Sequence, residues 1–326
     1  MKESQLTTHP WELVTNEAAR NCPAPAVSVI ITLYNYSAYI TGCLDSVRAS
    51  KTDGLPGGFE VVILDDASTD DSAAVAEKYL AASPLPITLV KKLDNTGVSD
   101  TRNIGLVLAR APFVFSLDAD NEIRPDCLVK HYQALASSDH ALAYGLIQRF
   151  ESDTRKLLTV MANFEWNVRE LVDGQRMDAM CMLRKDAALR VGGYSIEYGI
   201  IGPQGWEDYD LFLKLAQAGG TGKFIPEILS DYRVHTRSMI HAAIPYHREK
   251  SAYFSRKFFT LAYAHDGTAN LFNSPRGELA GIHAKRLGKP PPPRRTGFFH
   301  GLLGHKMRRS LSKRLSTVYE WLNLPE

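Results

Sequence analysis

Residues 113–120 are FVFSLDAD, a short apolar run that ends in two aspartates separated by one alanine. In extended backbone, residues two apart point to the same side, so Asp118 and Asp120 can converge on one ligand. Two carboxylates on an open loop suit Mg²⁺ or Mn²⁺ that is also bound to phosphate oxygens. Two solvated loop aspartates would give the same local pattern, so the surrounding elements have to support the metal-binding interpretation.

Apolar segments upstream of this pair alternate with helical patterns. Strands are predicted at 27–33, 59–64, 87–91 and 113–117, and helices at about 38–50, 71–82 and 99–110. Continuous apolar strands separated by helices predict an α/β fold whose mostly parallel central sheet has helices on both faces. In such sheets ligands bind beyond the carboxyl ends of the strands, which is where Asp118 and Asp120 lie.

Asp66 and Arg102 are candidates for binding a nucleotide. The stretch DDASTD, residues 65–70, follows the second predicted strand. There the Asp66 carboxylate can accept the N3–H of uracil or thymine, a hydrogen that cytosine lacks. A helix start rich in capping residues is the alternative. Arg102 lies early in the third predicted helix, where it can reach a nucleotide or diphosphate or can simply be an exposed helical arginine.

The section from about 140 to 240 is less regular, with strands predicted near 141–148, 178–183 and 230–235. The stretch WEDYDL, residues 206–211, puts Glu207 and Asp208 in the first turn of a predicted helix. The helix dipole would keep such a carboxylate ionised, as a general base requires, although acids at a helix start need no catalytic reason. His235 ends the last strand, and its imidazole could complete the metal site or be a histidine without a ligand.

These motifs, taken in order, resemble those of family 2 glycosyltransferases of the GT-A fold. The chain carries VSVIITLYN, VVILDDASTD, GVSDTRNIGL, SLDADNEIRPD, GGY at 192–194, WEDYDLFLKL and YRVH. The resemblance covers about residues 27–238. No single motif is decisive, but seven in register are highly specific.

The resemblance implies roles for the residues of the donor site. Thr32 and Asp66 match positions that contact the nucleotide, and Arg102 matches a basic residue near it. Asp118 and Asp120 match the DxD motif, with Asp120 the direct metal ligand. The implied metal is Mn²⁺ or Mg²⁺. The implied donor is a nucleotide sugar, with UDP favoured through Asp66, while TDP and GDP stay open.

The resemblance also implies the chemistry. Asp208 matches the catalytic base, with Glu207 beside it, and His235 resembles a histidine that ligates the metal in some members. The implied enzyme is an inverting, metal-dependent glycosyltransferase. It would move a sugar to a hydroxyl of a glycan or glycolipid acceptor, in polysaccharide or glycoconjugate biosynthesis.

Charge divides the chain into two parts. The first 240 residues hold 23 basic and 31 acidic side chains, whereas residues 241–326 hold 15 and 5. We predict an N-terminal extension at 1–26, a GT-A catalytic domain at 27–240, a helical extension at 241–287, a proline-rich basic linker at 288–297 and a basic amphipathic helix at 298–326. Such a helix can lie on an anionic membrane surface or pack on protein.

The composition favours a cytoplasmic protein that is at most peripheral to the inner face of the membrane. The four cysteines are widely separated, as expected of free thiols in a reducing compartment. No apolar run approaches the ~20 residues of a membrane-spanning helix. The first residues lack the apolar core of a signal peptide. No nucleic-acid-binding module is recognisable, so no nucleic-acid partner is expected.

Other classes of protein share parts of this pattern. A sugar nucleotidyltransferase would carry a glycine-rich, basic phosphate loop after the first strand, where this chain has YNYS at 34–37. A dinucleotide-dependent dehydrogenase would need GxGxxG at the same place. A non-catalytic carbohydrate-binding or scaffold protein on the GT-A fold stays open, although the carboxylates at 118, 120 and 208 count against it.

Overall fold

The computed structural model describes residues 11–197, 201–202, 205–236, 244–265 and 268–275. The chain divides into two compact units, each described by itself below. The first comprises Met1–Val168, Arg176–Ile196 and Gln204–Met239, and the second comprises Arg169–Gln175, Glu197–Pro203 and Ile240–Glu326. The predicted linker at 288–297 and amphipathic helix at 298–326 lie outside the described residues. No helix within the described ranges is long and apolar enough to cross a membrane.

A ten-stranded sheet forms the centre of the first unit, in the order β1-β4-β3-β2-β5-β9-β7-β10-β6, with β8 paired to β7. The strands are β1 (Trp11–Thr15), β2 (Val27–Leu33), β3 (Phe59–Asp65), β4 (Ile87–Lys92), β5 (Phe113–Asp118), β6 (Glu122–Ile123), β7 (Leu142–Glu151), β8 (Leu157–Met161), β9 (Met182–Arg184) and β10 (Gly222–Val234). Strands β4, β3, β2 and β5 are parallel, as predicted. They are flanked by the antiparallel strands β1 and β9, and beyond β9 the long strands β7 and β10 pair parallel to each other. The predicted α/β fold is confirmed.

Helices connect these strands, and one of them lies unusually close to the sheet. They are α1 (Glu17–Arg20), α2 (Ile40–Arg48), α3 (Ser72–Ala82), α4 (Val98–Leu108), α5 (Cys127–Ala136), α7 (Lys185–Arg190) and α8 (Glu207–Gln217), whereas α6 (Val168–Asp173) belongs to the second unit in all but its first residue. A Cβ on Gly105 would lie 3.0 Å from Leu64 and 3.1 Å from Ile30. Glycine therefore lets α4 approach β2 and β3 closely, which positions Arg102 one turn earlier in the helix.

The register of the parallel strands brings the polar strand ends to one edge of the sheet. Thr32 lies opposite Asp118, and Leu33 lies opposite Asp65. Beyond the strands, Asn35 and Ala67 both adopt left-handed backbone with a φ of 57°. Such conformations are uncommon for residues other than glycine, and they concentrate at functional sites.

Several elements of the first unit differ from the prediction, among them β10, which begins at Gly222 and not near residue 230. Strand β1, within the predicted N-terminal extension, pairs antiparallel with β4. The strand predicted at 178–183 is wrong in its extent, because the ladder contains only Met182–Arg184. The Cys181 N–H donates to the Ala179 carbonyl at 2.7 Å, and this turn takes the preceding residues out of the ladder.

The second unit has its own small aromatic core. It contains α6, a 3₁₀ turn (Ile244–Tyr246), α9 (His247–Lys257), α10 (Phe259–Ala264) and a hairpin of β11 (Asn270–Leu271) and β12 (Ser274–Pro275). The rings of Phe254, Phe258 and Phe272 pack together, with Phe254 5.7 Å from Phe258 and 5.8 Å from Phe272 between centroids. The predicted helical extension therefore includes a hairpin as well as helices.

Candidate functional site

The carboxyl ends of β2 and β5 are joined by a hydrogen bond between Thr32 and Asp118. Thr32 Oγ1 donates to Asp118 Oδ1 at 2.8 Å, and Arg102 Nη2 donates to the same oxygen at 2.7 Å. Both donors therefore hold one oxygen of the carboxylate and fix the direction of the other. The Asp118 side chain is 26% exposed, so a ligand can reach it from solvent.

Arg102 connects this strand end to the start of helix α8. Its Nη1 donates to Glu207 Oε1 at 2.6 Å, and its side chain is only 2% exposed. The ring of Tyr194 lies 5.4 Å from the guanidinium carbon. Two carboxylates and an aromatic face thus surround the Arg102 guanidinium. The nucleotide contact predicted for Arg102 stays a prediction.

Asp208 follows Glu207 in the first turn of α8 and is buried. Burial, then the charges of Glu207 and Asp178, raise the pKa of the Asp208 carboxyl well above its usual value. Burial and like charge therefore outweigh the helix dipole that was expected to keep this carboxylate ionised. A raised pKa increases the proton affinity of the carboxylate, which strengthens it as a general base wherever it is deprotonated. Trp206, just before the helix, has a strained φ of 74°.

Asp120 and His235 are in direct contact. His235 Nε2 lies 2.9 Å from Asp120 Oδ2, and the His235 ring packs against Tyr36 and Tyr39. Asp120 Oδ1 is buried and has no hydrogen-bond partner in the described part of the chain. Burial is the main cause of the raised pKa of Asp120, and the charge of Asp118 also raises it. A buried oxygen without a donor is costly, so it calls for a bound partner.

The predicted metal ligands are only partly assembled. No group of three His, Cys, Asp or Glu side chains is arranged to hold a metal within the described ranges. Asp120 and His235 meet, whereas one oxygen of Asp118 is held by Thr32 and Arg102. The donor set nevertheless fits Mn²⁺ or Mg²⁺, because Asp120 Oδ1 is an unused acceptor and such ions complete their shell with water and phosphate oxygens.

Asp66 holds the loop that precedes α4. Its Oδ1 accepts hydrogen bonds from Lys92 Nζ at 2.6 Å and the Thr96 N–H at 3.0 Å. Its Oδ2 accepts the Gly97 N–H at 2.9 Å. Each carboxylate oxygen can accept about two such bonds, which leaves capacity on Oδ2 for one further donor. The sequence did not predict this structural role, and base recognition by Asp66 stays a prediction.

The GGY segment at 192–194 ties α4 to the segment that leads to α8, a role that sequence reasoning missed. Asn103 Nδ2 donates to the Tyr194 carbonyl at 2.8 Å, and the Tyr194 N–H donates to Asn103 Oδ1 at 2.7 Å. Ser195 then donates to Asp210 Oδ2 in α8 at 2.5 Å. In the sequence, the only indication that this segment matters is its place among the motifs, which follow the order seen in family 2 glycosyltransferases.

The site also includes a carboxylate outside the predicted motifs, Asp178. Burial, then the charge of Asp118, raise its pKa to about 7. It precedes β9, in a stretch that the sequence analysis assigned to a strand. No motif distinguished it, because its neighbours in the sequence are apolar.

Comparison with protein families identifies the first unit. Residues 28–189 match the family described as Glycosyl transferase family 2. Residues 28–189 form a glycosyltransferase family 2 domain. The matched region contains β2 to β9, with Thr32, Asp66, Arg102, Asp118 and Asp120.

Individual family members match over different lengths. An uncharacterized glycosyltransferase of Haemophilus influenzae is 26% identical over 269 residues, covering 73% of this chain and 84% of that protein. The poly(ribitol-phosphate) β-N-acetylglucosaminyltransferase TarS of Staphylococcus aureus is 36% identical over 101 residues, which cover 31% of this chain and 17% of that protein. The teichoic acid poly(glycerol phosphate) polymerase of Staphylococcus epidermidis is 29% identical over 117 residues, which cover 36% of this chain and 16% of that protein. The chain thus spans less than a third of the length of these two staphylococcal relatives.

Solved structures of glycosyltransferases share the fold. TarS 1–349 in complex with UDP-GlcNAc matches with a TM-score of 0.58 at 19% identity, covering 89% of this chain and 79% of that one. A mannosyltransferase from Pyrobaculum calidifontis in complex with GDP-Man and Mn²⁺ matches with a TM-score of 0.56 at 17% identity, covering 97% and 85%. At these identities the likeness establishes the fold alone, and the predicted GT-A fold is confirmed.

Proposed function

We propose that this chain is an inverting glycosyltransferase that moves a sugar from a UDP-sugar to a hydroxyl acceptor. The observation that carries the proposal is the pair of hydrogen bonds from Arg102 to Asp118 and Glu207. They join the DxD motif to the segment that bears Asp208 in one buried network. UDP is favoured as the carrier because TarS, the relative that is 36% identical over 101 residues, forms a complex with UDP-GlcNAc, while the GDP-Man complex of the mannosyltransferase keeps GDP open. The teichoic-acid relatives support a glycan or related polymer as the acceptor.

Asp208 is the proposed base. It takes the proton of the acceptor hydroxyl while the hydroxyl oxygen forms a bond to the anomeric carbon of the sugar. The bond between that carbon and the diphosphate oxygen breaks, and the nucleoside diphosphate leaves with the bonding electrons. Glu207, held by Arg102, raises the proton affinity of Asp208 through its negative charge. A single in-line displacement inverts the configuration at the anomeric carbon.

Asp120 and His235 are the proposed ligands of Mn²⁺ or Mg²⁺, with Asp118 beside them. Such an ion supplies positive charge against the departing diphosphate. Thr32 and Arg102 orient the Asp118 carboxylate at the same strand end. Thr32 and Asp66 are the proposed nucleotide contacts.

Calorimetric titration of the full chain with UDP, TDP and GDP, each with and without Mn²⁺, tests the donor site. We expect Mn²⁺-dependent binding of UDP that is lost in Asp120→Ala. Asp126→Ala is the matched control, because Asp126 is a half-exposed aspartate at the start of α5 that pairs with Lys51 on the surface. Binding of none of the diphosphates would contradict the proposal. Binding without release of UDP from any UDP-sugar would favour a carbohydrate-binding or scaffold protein.

Cytoplasmic location and contact of residues 298–326 with an anionic membrane surface remain proposals supported by composition alone. Co-sedimentation with phosphatidylglycerol-containing liposomes tests the second. We expect the full chain to sediment and a chain truncated after Lys289 to stay in solution. Equal sedimentation of the two chains would contradict the proposed membrane contact.

A further inference from the structure

Asp178 lies beside the strand end that carries the DxD motif. Strand β9 runs antiparallel to β5, with Met182 opposite Phe115. The Ser116 N–H continues this ladder by donating to the Cys181 carbonyl at 3.2 Å. The turn between Ala179 and Cys181 ends the ladder there, and Asp178 lies only three residues before Cys181. Asp178 is therefore held close to the carboxyl end of β5, although it is 60 positions from Asp118 in the sequence.

The electrostatic surroundings of Asp178 agree with this position. After burial, the charge of Asp118 is the main cause that raises the pKa of Asp178, and Arg102 and Asp120 also act on it. In turn, the charge of Asp178 raises the pKa of Asp208. Because charge effects weaken with distance, the Asp178 carboxyl lies within reach of both the DxD motif and the proposed base.

The contacts of Asp178 leave most of its acceptor capacity unused. Its Oδ1 accepts the Met180 N–H at 3.1 Å, and it forms no ion pair with any residue that the structure describes. Asp210, an aspartate of the same unit with a structural role, differs in its contacts. It is fully buried, accepts a hydrogen bond from Ser195 and forms an ion pair with Lys214. A partly buried carboxylate without such partners is suited to binding a ligand.

This inference rests on the proposed glycosyltransferase function. In that reaction the transferred sugar lies between the diphosphate, near Asp118 and Asp120, and the base, Asp208. We infer that Asp178 accepts a hydrogen bond from a hydroxyl or acetamido N–H of the transferred sugar and thereby selects among UDP-sugars. It belongs to neither the DxD motif nor the WEDYD motif. Asp178 is thus a specificity-determining residue, outside the nucleotide and metal contacts.

The experiment compares the affinities of UDP, UDP-glucose, UDP-galactose, UDP-GlcNAc and UDP-GalNAc, measured by calorimetry with Mn²⁺. The proteins are the wild-type chain, Asp178→Asn, Asp178→Ala and the control Asp186→Asn, whose carboxylate is exposed on α7. We expect the wild type to discriminate among the sugars. In Asp178→Ala the affinity for the preferred UDP-sugar should fall about tenfold or more, as for a lost hydrogen bond to a charged group, and in Asp178→Asn, whose amide oxygen is a neutral acceptor, it should fall less. Their affinity for UDP itself should change less than about threefold.

The outcomes separate this inference from the function on which it rests. Unchanged discrimination among UDP-sugars in both Asp178 variants would overturn the inference and leave the proposed function intact. A fall in the affinity for UDP as large as that for the UDP-sugars would also overturn it, because Asp178 would then act on the diphosphate or metal. Absence of UDP and UDP-sugar binding in the wild type would overturn both. Asp178→Asn preserves the shape of the side chain, so a loss of affinity that appears in both variants excludes a local distortion as its cause.

Discussion

The guanidinium of Arg102 donates to Glu207 across 2.6 Å, although the two residues are 105 positions apart in the sequence. Both side chains are almost completely excluded from solvent. The second terminal nitrogen of Arg102, Nη2, donates to Asp118. Glu207 Oε2 is buried and has no hydrogen-bond partner in the described part of the chain. One arginine therefore compensates two acids and holds the DxD strand end against the start of α8.

Replacing Arg102 should destabilise the first unit strongly. In Arg102→Met, Asp118 and Glu207 lose their common counter-charge, and breaking a buried ion pair costs about 3–5 kcal/mol. Urea unfolding followed by circular dichroism measures the free energy of unfolding. Arg190→Met is the control, because Arg190 and Asp186 form an exposed pair worth less than about 1 kcal/mol. Equal losses in the two variants would contradict the structural role of Arg102.

Removing the base and removing the metal ligand should have different effects. Asp208→Asn should lower turnover of the UDP-sugar by about 10²–10⁴-fold and leave Mn²⁺-dependent UDP affinity nearly unchanged, because a general base acts only on the proton. Asp120→Ala should lower both the turnover of the UDP-sugar and the Mn²⁺-dependent affinity for UDP. Kinetic assay of UDP release and calorimetry on the same preparations check this. Turnover at the wild-type rate in Asp208→Asn would rule out the assignment of the base.

Neutralising Glu207 should shift the pH profile of turnover. Turnover rises with pH as Asp208 loses its proton, and the Glu207 charge contributes to raising the pKa of Asp208. Glu207→Gln removes that charge, so the acidic limb should move to lower pH. The measurement is kcat from about pH 4 to 9 for both proteins. If the acidic limb of the kcat profile stays in place or moves to higher pH in Glu207→Gln, Glu207 does not act on Asp208 through its charge.

Asp178 should make the stability of the ligand-free protein depend on pH. Its pKa is raised from 3.8 to about 7 in the folded chain, so folding favours the protonated form. The stabilisation is present below pH 4 and is lost as the pH rises through 7. Asp178→Asn, which cannot ionise, should therefore be more stable than the wild type at pH 8 by roughly 2 kcal/mol, an amount reduced by partial solvent contact. Thermal melts at pH 5 and pH 8 in EDTA test this, and an equal difference at both would contradict it.

The glycines of the GGY segment should differ sharply in their tolerance of alanine. Gly193 has a φ of 63°, and an added Cβ would lie 2.3 Å from Asn103 Oδ1. Gly192 has a φ of 83° with nothing near the added Cβ. Gly192→Ala should cost about 1 kcal/mol from the backbone alone, whereas Gly193→Ala should cost about 3 kcal/mol because the Asn103–Tyr194 pair must also shift. Urea titration of both variants measures the loss in free energy of unfolding. Equal losses in Gly192→Ala and Gly193→Ala would exclude a role for the contact between the added Cβ and Asn103.

Much of the first unit could be predicted because its signals are local. The apolar runs of β2, β3 and β5 identify buried strands without knowledge of their partners, and polar residues that follow such strands fall at one edge of a parallel sheet. The same reasoning missed β1, because its five residues, four of them half-buried and one exposed, form a strand only by pairing with β4. It also misjudged the ionisation of Asp208, because the burial that raises its pKa comes from distant segments.

Which residue types stand at the strand ends could be predicted without the structure, because Thr32, Asp66, Asp118 and Asp120 follow from the order of strands and motifs. How these side chains act together depends on contacts that form in the folded chain. Arg102 could have been an exposed helical arginine, and it is buried because Asp118 and Glu207 meet around it from segments far apart in the chain. Asp178 has no local signal at all. Ion pairing and desolvation depend on distances in space, and those exist only once the chain has folded.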